Sequence, residues 1–434
     1  MSDFLSFFSE EEIKEAFFKY VSNSNARGID SISSRSFEAQ IDEQIKIINR
    51  KVADSSYKLS KYKSRLISKG KGRAPREISI PTVRDRVVLR KLCDFLQNEF
   101  SVSLCLPQNV VNDVINDLLS GTYSFFIKLD VSEFYPSVDH KILMRFLSCK
   151  NINKKAYHLI FEDLIKPTVK TSKCDDSPST KGIPQGLSIS NVLAAIYLNK
   201  LDEKFKSYLD IKYYRYVDDV LVFCKNNQAN LACEITKEFE ALKLKVHDFS
   251  DCNNKSRIGH ISNEFSYLGY SFHNNVINAR IGSINKLKDS LVSIFINYRN
   301  AKRKSEKILL WKLNLRITGC VFKRKSRGWL FFFSLINNEQ VLHQLDSFVK
   351  KLFHRFNLQL HAKSFVRTFY EIKHKRHETN YIPNFDKLGS NQKREILKNQ
   401  YGLEKVDDNN LDYLFNKRIG KEIKDLEEDI QAIS

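Results

Sequence analysis

Four residues constrain this chain more than any others: Tyr216-Val217-Asp218-Asp219 stands between two apolar runs, 213–216 and 220–223. Such runs around a short polar pair predict a β-hairpin with both carboxylates at its tip. Asp favours turns, so an Asp-rich tip by itself needs no function. A third acid changes the reading. Asp130 closes the apolar run 125–129, which places it at the end of another strand, where it can join the other two. Three converging carboxylates call for divalent cations, and two Mg²⁺ ions held this way suit an in-line nucleotidyl transfer.

The charge balance names the partner class. The 434 residues carry 71 Lys and Arg against 51 Asp and Glu, a formal net charge of +20. That excess attracts a polyanion and releases its counterions on binding, so nucleic acid is the expected partner. A membrane surface is the rival. It is disfavoured because no run of 18 or more apolar residues occurs and the first segment reads as an acidic helix, so the expected location is the cytoplasm. Eight cysteines lie scattered without a C-x-x-C pair; reduced, mostly buried thiols are expected rather than a zinc site or a disulfide framework. With 42% apolar and 28% charged residues the chain has the composition of a folded protein.

The periodicities predict an α+β fold. Ser9 followed by three glutamates and Ile13, Ala16, Phe17 and Tyr20 predicts a capped helix, and 37–52 predicts another; together they make an N-terminal helical extension over 1–56. A basic, Gly-containing loop holding Lys69 and Lys71 leads into the β-like run 76–81. From 125 to 270 short strands, the last of them 265–270, alternate with helical patterns such as 191–201 and 229–242, as a sheet backed by helices requires. Past 284 the pattern is helical, broken by Gly328-Trp329-Leu330-Phe331-Phe332-Phe333. That stretch, with Arg316-Ile317-Thr318-Gly319 before it, reads as core or as an RNA-stacking surface. The last segment ends in a helix with Ile423, Leu426, Ile430 and Ile433 on one face.

Six blocks in order over 57–270 resemble the reverse transcriptase family. They are Arg76-Glu-Ile-Ser-Ile-Pro81-Thr-Val-Arg-Asp85-Arg86-Val-Val88, then Lys128-Leu-Asp130-Val-Ser-Glu-Phe134-Tyr135-Pro-Ser-Val-Asp139-His140, then Gly182-Ile-Pro-Gln185-Gly186-Leu-Ser188. Tyr216-Val-Asp218-Asp219, Lys255 and Tyr267-Leu268-Gly269-Tyr270 follow. The resemblance implies a right-hand polymerase with fingers and an antiparallel palm over 57–275, a helical thumb over 276–379 and a charged helical segment over 380–434.

It also implies roles for single residues. Asp130, Asp218 and Asp219 are the catalytic acids, and with Val131 they are the metal-holding positions, for two Mg²⁺ ions or Mn²⁺ in their place. Arg76 and a loop lysine, Lys69 or Lys71, would clamp the triphosphate. Tyr135 would lie under the nucleotide sugar and reject a 2′-hydroxyl, or else serve as a core tyrosine. Gln185 would orient the nucleotide, and Gly186 would let the backbone approach the template pair. Lys255 would protonate the departing pyrophosphate or be a plain surface lysine. Leu268 and Gly269 are similar to the primer grip. Asp139 and His140 read as a helix cap and brace.

The stretch 107–115 lacks the Asn-Ala block of retron enzymes, and no His-x-x-His or Cys-x-x-Cys cluster marks an intron nuclease. The remaining resemblance is to stand-alone antiphage reverse transcriptases of the "unknown group". It implies copying of a structured non-coding RNA from dNTPs into a DNA product, by a monomer or homo-oligomer. The alternatives are a retron-type or other mobile-element enzyme, and a protein-primed, untemplated polymerase of the abortive-infection type. An RNA-dependent RNA polymerase would carry a second Asp four or five residues after Asp130, where Phe134 and Tyr135 stand.

Overall fold

A computed structural model describes residues 3–22, 24–68, 74–102, 105–171, 177–226, 229–249, 255–376 and 378–430. These residues form two compact units: 1–106 with 121–260, and 107–120 with 261–434.

The first unit is built on a three-stranded and a five-stranded sheet. β1 (Tyr62–Ile67) pairs antiparallel with β2 (Arg76–Ile80). β3 (Phe125–Ser132) is the centre of the main sheet. The short β4 (Thr168–Val169) runs parallel to β1. β5 (Ile211–Tyr216) and β6 (Asp219–Cys224) make the expected hairpin, and β6 pairs antiparallel with β3. On the other side of β3 lie β7 (Lys245–Val246) beside Val131 and Ser132, and β8 (Arg257–His260) beside 125–128. The central strand is apolar on both faces, with Phe126, Ile127, Leu129 and Val131 all buried, as a strand covered from two sides must be.

One core holds this unit together. The helix Ser190–Lys206 buries Leu193, Tyr197, Leu201 and Phe205, and the helix Ala229–Ala241 buries Leu231, Ile235 and Phe239, all in the cluster that contains Leu129 and Val222. Phe205 stacks on Tyr213 of β5 with centroids 5.8 Å apart. Near the N-terminus, Ser9 caps the helix Glu10–Ala16 as its sequence predicts. The second expected helix is instead two, Ser34–Glu38 and Ile41–Ala53, because Gln40 leaves the helical region at φ −124° and Ser33 caps its own short turn.

The second unit holds an antiparallel three-stranded sheet, β9 (Phe265–Tyr267), β10 (Tyr270–His273) and β11 (Val276–Ala279). The single strand expected over 265–270 is therefore a hairpin: Leu268 and Gly269 both take positive φ, 46° and 82°, and turn the chain between Tyr267 and Tyr270. A second hairpin joins β12 (Cys320–Phe322) to β13 (Lys325–Arg327). The aromatic stretch that follows is core: Trp329, Leu330, Phe331 and Phe333 are buried, and the indole N–H donates to Ser283 at 3.0 Å. The helix Asp408–Glu428 buries Ile419, Ile423 and Leu426 on one face, as its spacing predicts; Ile433 lies outside the described residues. Of the six cysteines described, Cys93, Cys224 and Cys320 are buried, while Cys105, Cys149 and Cys233 are exposed.

Candidate active site

The register of the main sheet decides where the three acids meet. Asp130 lies opposite Asp219 in the β3–β6 ladder, and Tyr216 lies opposite Asp219 across the hairpin, so Val217 and Asp218 form a two-residue tip. Directly opposed residues of antiparallel strands have Cβ atoms about 5 Å apart, and like charges so placed are destabilising. The fold thus sets two carboxylates against each other with a third beside them. Asp130 is not at the end of its strand as the apolar run predicts. Pairing of Val131 and Ser132 with β7 carries β3 two residues further, a contact that no local pattern encodes.

Strain and charge concentrate at this tip. Val217 sits at φ 57°, a region a β-branched residue rarely enters. Its carbonyl accepts a hydrogen bond from the Arg215 guanidinium at 2.8 Å. Arg215 is itself held in a largely buried ion pair with Asp202, whose Oδ1 accepts from Nε at 2.7 Å. Burial pushes the Asp218 carboxyl above its ordinary value, and the charge of Asp130 adds to the rise, while Arg76 and Arg215 oppose it.

Asp130 has its own neighbours. Lys255 Nζ lies 3.7 Å and His247 Nε2 3.5 Å from its Oδ2. Those two nitrogens are 3.1 Å apart. The main chain of Asp130 is fixed on both sides: its N–H donates to Ser256 Oγ at 3.2 Å and its carbonyl accepts from His247 N at 3.0 Å. Val131 is buried and could offer a cation only its main-chain carbonyl.

A loop carries Gln185 and Gly186, the residues expected to meet the nucleotide and the template pair, between β2 and the Tyr135 turn. Gly182 N–H donates to Val138 O and Ile183 N–H to Tyr135 O, both at 2.8 Å, while Ser79 N–H of β2 donates to Gln185 O at 2.8 Å. The segment 182–187 is thereby laced to β2 on one side and to the Tyr135 turn on the other. Gly186 has φ +95°, and a Cβ there would stand 2.5 Å from Ile78 Cγ2, so both conformation and space require glycine. Tyr135 OH bonds Asn191 Oδ1 at 2.6 Å. Its ionisation is pushed far up by burial and by the charge of Asp218, with Arg76 acting against that rise, so Arg76 of β2 feels both groups.

The remaining expectations fall as follows. Asp139 caps the helix His140–Cys149 through Ile142 N–H at 3.0 Å, and His140 Nε2 meets Gly182 O at 2.7 Å, the brace expected of them. Leu268 and Gly269 lie at the β9–β10 turn, buried within the second unit. Lys69 and Lys71 lie outside the described residues. Arg215, Asn191, His247 and Ser256 escaped the sequence reading. Only Arg215 left a trace there, as the one charge within the run 213–216.

Among the described residues no group of three His, Cys, Asp or Glu side chains already stands at metal-ligand spacing. The donor set is nonetheless hard oxygen, which suits Mg²⁺ or Mn²⁺. Burial first, and the charge of Asp130 after it, raise the Asp218 carboxyl, and a cation bound there would offset both.

Antiparallel strands that gather three acids, with Arg76 and Tyr135 of the same unit near them, are the arrangement expected of a nucleotidyl-transferring palm. The family described as reverse transcriptase (RNA-dependent DNA polymerase) matches residues 67–272. The chain is 22% identical over 299 residues to protein YkfC of Escherichia coli (strain K12), a match covering 56% of this chain and 74% of that protein. It is 26% identical over 183 residues to the group II intron-encoded protein LtrA of Lactococcus lactis subsp. cremoris, covering 40% of this chain but 30% of LtrA. Among solved structures, telomerase from Candida albicans in complex with a fragment of telomeric RNA aligns with a TM-score of 0.43 at 14% identity, over 92% of this chain and 67% of that one. Truncated apo telomerase from Candida tropicalis aligns with a TM-score of 0.42 at 16% identity, over 51% and 55%. Residues 67–272 are thus matched by the reverse transcriptase family, and the elements described above are of the α+β class. The activity that this family's description names is RNA-dependent DNA polymerisation.

The described residues contain no helix long and apolar enough to cross a membrane.

Proposed function

We propose that this chain is an RNA-directed DNA polymerase that works with two divalent cations held by Asp130, Asp218 and Asp219, and that it makes cDNA from a partner non-coding RNA in bacterial antiphage defence. One observation carries the catalytic part: the strand register that sets Asp130 opposite Asp219 with Asp218 at the adjoining tip. Bound there, the ions would supply the positive charge that acidifies a primer 3′-hydroxyl and neutralises the departing pyrophosphate.

The chain's own residues do the rest. Arg76 offers the triphosphate a fork of donors. The Tyr135 ring, anchored through Asn191, stands beside Asp218, where an added 2′-hydroxyl on the sugar would meet it. Gln185 and Gly186, pinned to β2, form the wall against which a base pair can lie. Lys255 would hand a proton to the leaving pyrophosphate, a role supported by its ammonium lying 3.7 Å from Asp130 Oδ2. The net charge of +20 supports a polyanionic template. The defence role rests on the sequence resemblance to stand-alone antiphage enzymes.

The test is to purify the chain from cells carrying its native locus, sequence the nucleic acid that accompanies it, and assay dNTP incorporation with and without EDTA. A discrete RNA with complementary DNA, and incorporation lost by at least about 10³-fold in Asp218→Asn, are expected. Protein-linked DNA of simple sequence would overturn the templated reading. Full incorporation by Asp218→Asn would overturn the metal assignment.

A further inference from the structure

The β12–β13 hairpin has no part in the chemistry above, yet it is built at a conformational cost. Phe322 pairs with Lys325, so its loop is the two residues Lys323 and Arg324. Both have positive φ, 53° and 58°. Such a turn ordinarily takes Asn-Gly, since both central residues must enter the left-handed region. Here it carries Lys-Arg, followed by Lys325, and all three are exposed.

The tip is locked from beneath. Lys323 N–H and Arg324 N–H donate to the two carboxylate oxygens of Asp386 at 2.6 and 2.7 Å. Asp386 N–H is in turn held by Asn384 Oδ1 at 3.1 Å, and Val321 N–H donates to Pro383 O at 2.9 Å. Cys320 and Phe322 sit in a core with Phe385 and Phe415. The carboxylate that braces the turn is thus bonded to main chain.

A second basic element adjoins the first. At the end of the helix Phe365–His374, residues Lys373, His374, Lys375 and Arg376 are exposed. Arg376 links the two elements: its Nη2 donates to Ser326 Oγ at 3.4 Å, and its guanidinium lies 5.6 Å from the Phe331 ring centre. On the same helix Tyr370, 53% exposed, lies with its ring 5.3 Å from that of His374. The acids nearby are the exposed Glu378, the bonded Asp386, and Glu371, which pairs with Arg367 at 3.6 Å.

We propose that the hairpin tip and the end of this helix form a docking surface for the phosphate backbone of RNA, with Tyr370 and His374 stacking on an unpaired base beside it. Lysines and forked guanidiniums on a rigid support suit phosphates. An exposed aromatic pair next to them suits a base that is not in a duplex. An anionic membrane would be met by the same charges, but Tyr370 is the one large apolar side chain exposed on this helix among the described residues. The inference rests on the reading of RNA as the partner.

The turn itself supplies the decisive variant. Lys323→Asn with Arg324→Gly installs the residues the turn prefers and removes two charges, so folding is favoured while docking is weakened. Binding of a fluorescein-labelled RNA hairpin with a single-stranded flank is followed by anisotropy against salt, without nucleotides. Failure of polymerisation in the palm and failure of docking here therefore register separately. The double variant is expected to melt higher, to bind about tenfold more weakly, and to lose about 1.5 to 2 from the slope of log K against log salt. A higher melting point with an unchanged slope overturns the proposal. So does loss of binding to phosphatidylserine vesicles with RNA binding intact. Lys325→Ala with Arg376→Ala is a second route to the same loss of slope. Tyr370→Ala is expected to weaken the flanked hairpin more than a blunt duplex, and equal losses would overturn the stacking contact.

Discussion

Two hairpins in this chain use one local device for opposite charges. β5–β6 closes with Val217-Asp218 and β12–β13 with Lys323-Arg324, two-residue loops that hold Val217 in the first and both residues of the second at positive φ. Each tip is braced by a side chain of the opposite sign. Arg215, anchored on Asp202, bonds the carbonyl of Val217 in the acidic tip, while Asp386 bonds the two N–H groups of the basic one. The difference lies in burial. The acidic tip is partly buried and its Asp218 carboxyl is driven up, whereas Lys323 and Arg324 stay exposed. A concentrated charge can therefore be carried on a strained turn when the brace is charged as well, and burial sets whether that charge is shielded or open to solvent.

Removing the stronger brace should break the comparison most. Arg215→Ala leaves Asp202 without its largely buried partner and frees the Val217 carbonyl. A stability loss of about 4 kcal/mol in urea unfolding is expected, with dNTP incorporation falling more steeply than the folded fraction. Equal falls would mean that Arg215 supports the fold but not the geometry of the tip.

Asp163 sharpens the comparison, because it is a buried carboxylate with no cation to brace it. Its Oδ1 accepts from Tyr62 OH at 2.5 Å, its Oδ2 has no partner, and burial pushes it up to about 7. The folded value is raised, so the stability it contributes is fully present below the ordinary value of 3.8 and is lost as pH rises through about 7. Wild type should lose about 4 kcal/mol across that window, an order-of-magnitude figure from the shift. Asp163→Asn should be nearly flat there and more stable than wild type at pH 8. A variant that keeps the wild-type slope would mean that the pH dependence arises elsewhere.

Asp386→Ala should have the smallest effect. It strips two acceptors from an exposed turn, for about 1 kcal/mol by thermal unfolding. Combined with Lys323→Asn and Arg324→Gly that loss should shrink, because the turn no longer needs its brace.

The three acids were legible before any coordinates. Asp218 and Asp219 sit between alternating apolar runs, Asp130 ends another, and the blocks around them fall in family order. Ser9 and Asp139 announced their helices because caps act within three residues. The aromatic stretch at Trp329 could be read as core or as binding surface, and burial settled it. Hidden were the extension of β3 past Asp130, the turn at Leu268, the bracing of Val217 by Arg215 on Asp202, and the hold of Asp386 on a loop 63 residues away.

Sequence alone therefore determined which residues are chemically able to act and which segments are strands or helices, since periodicity, turn preference and capping are short-range effects. Only the tertiary structure decided register and bracing. Asp130 faces Asp219 because an entire ladder aligns them, and Val217, Lys323 and Arg324 enter backbone regions they avoid in isolation because side chains anchored outside their turns, Arg215 on Asp202 and Asp386, hold them there. Those contacts outweigh local preference, and for that reason local preference could not foretell them.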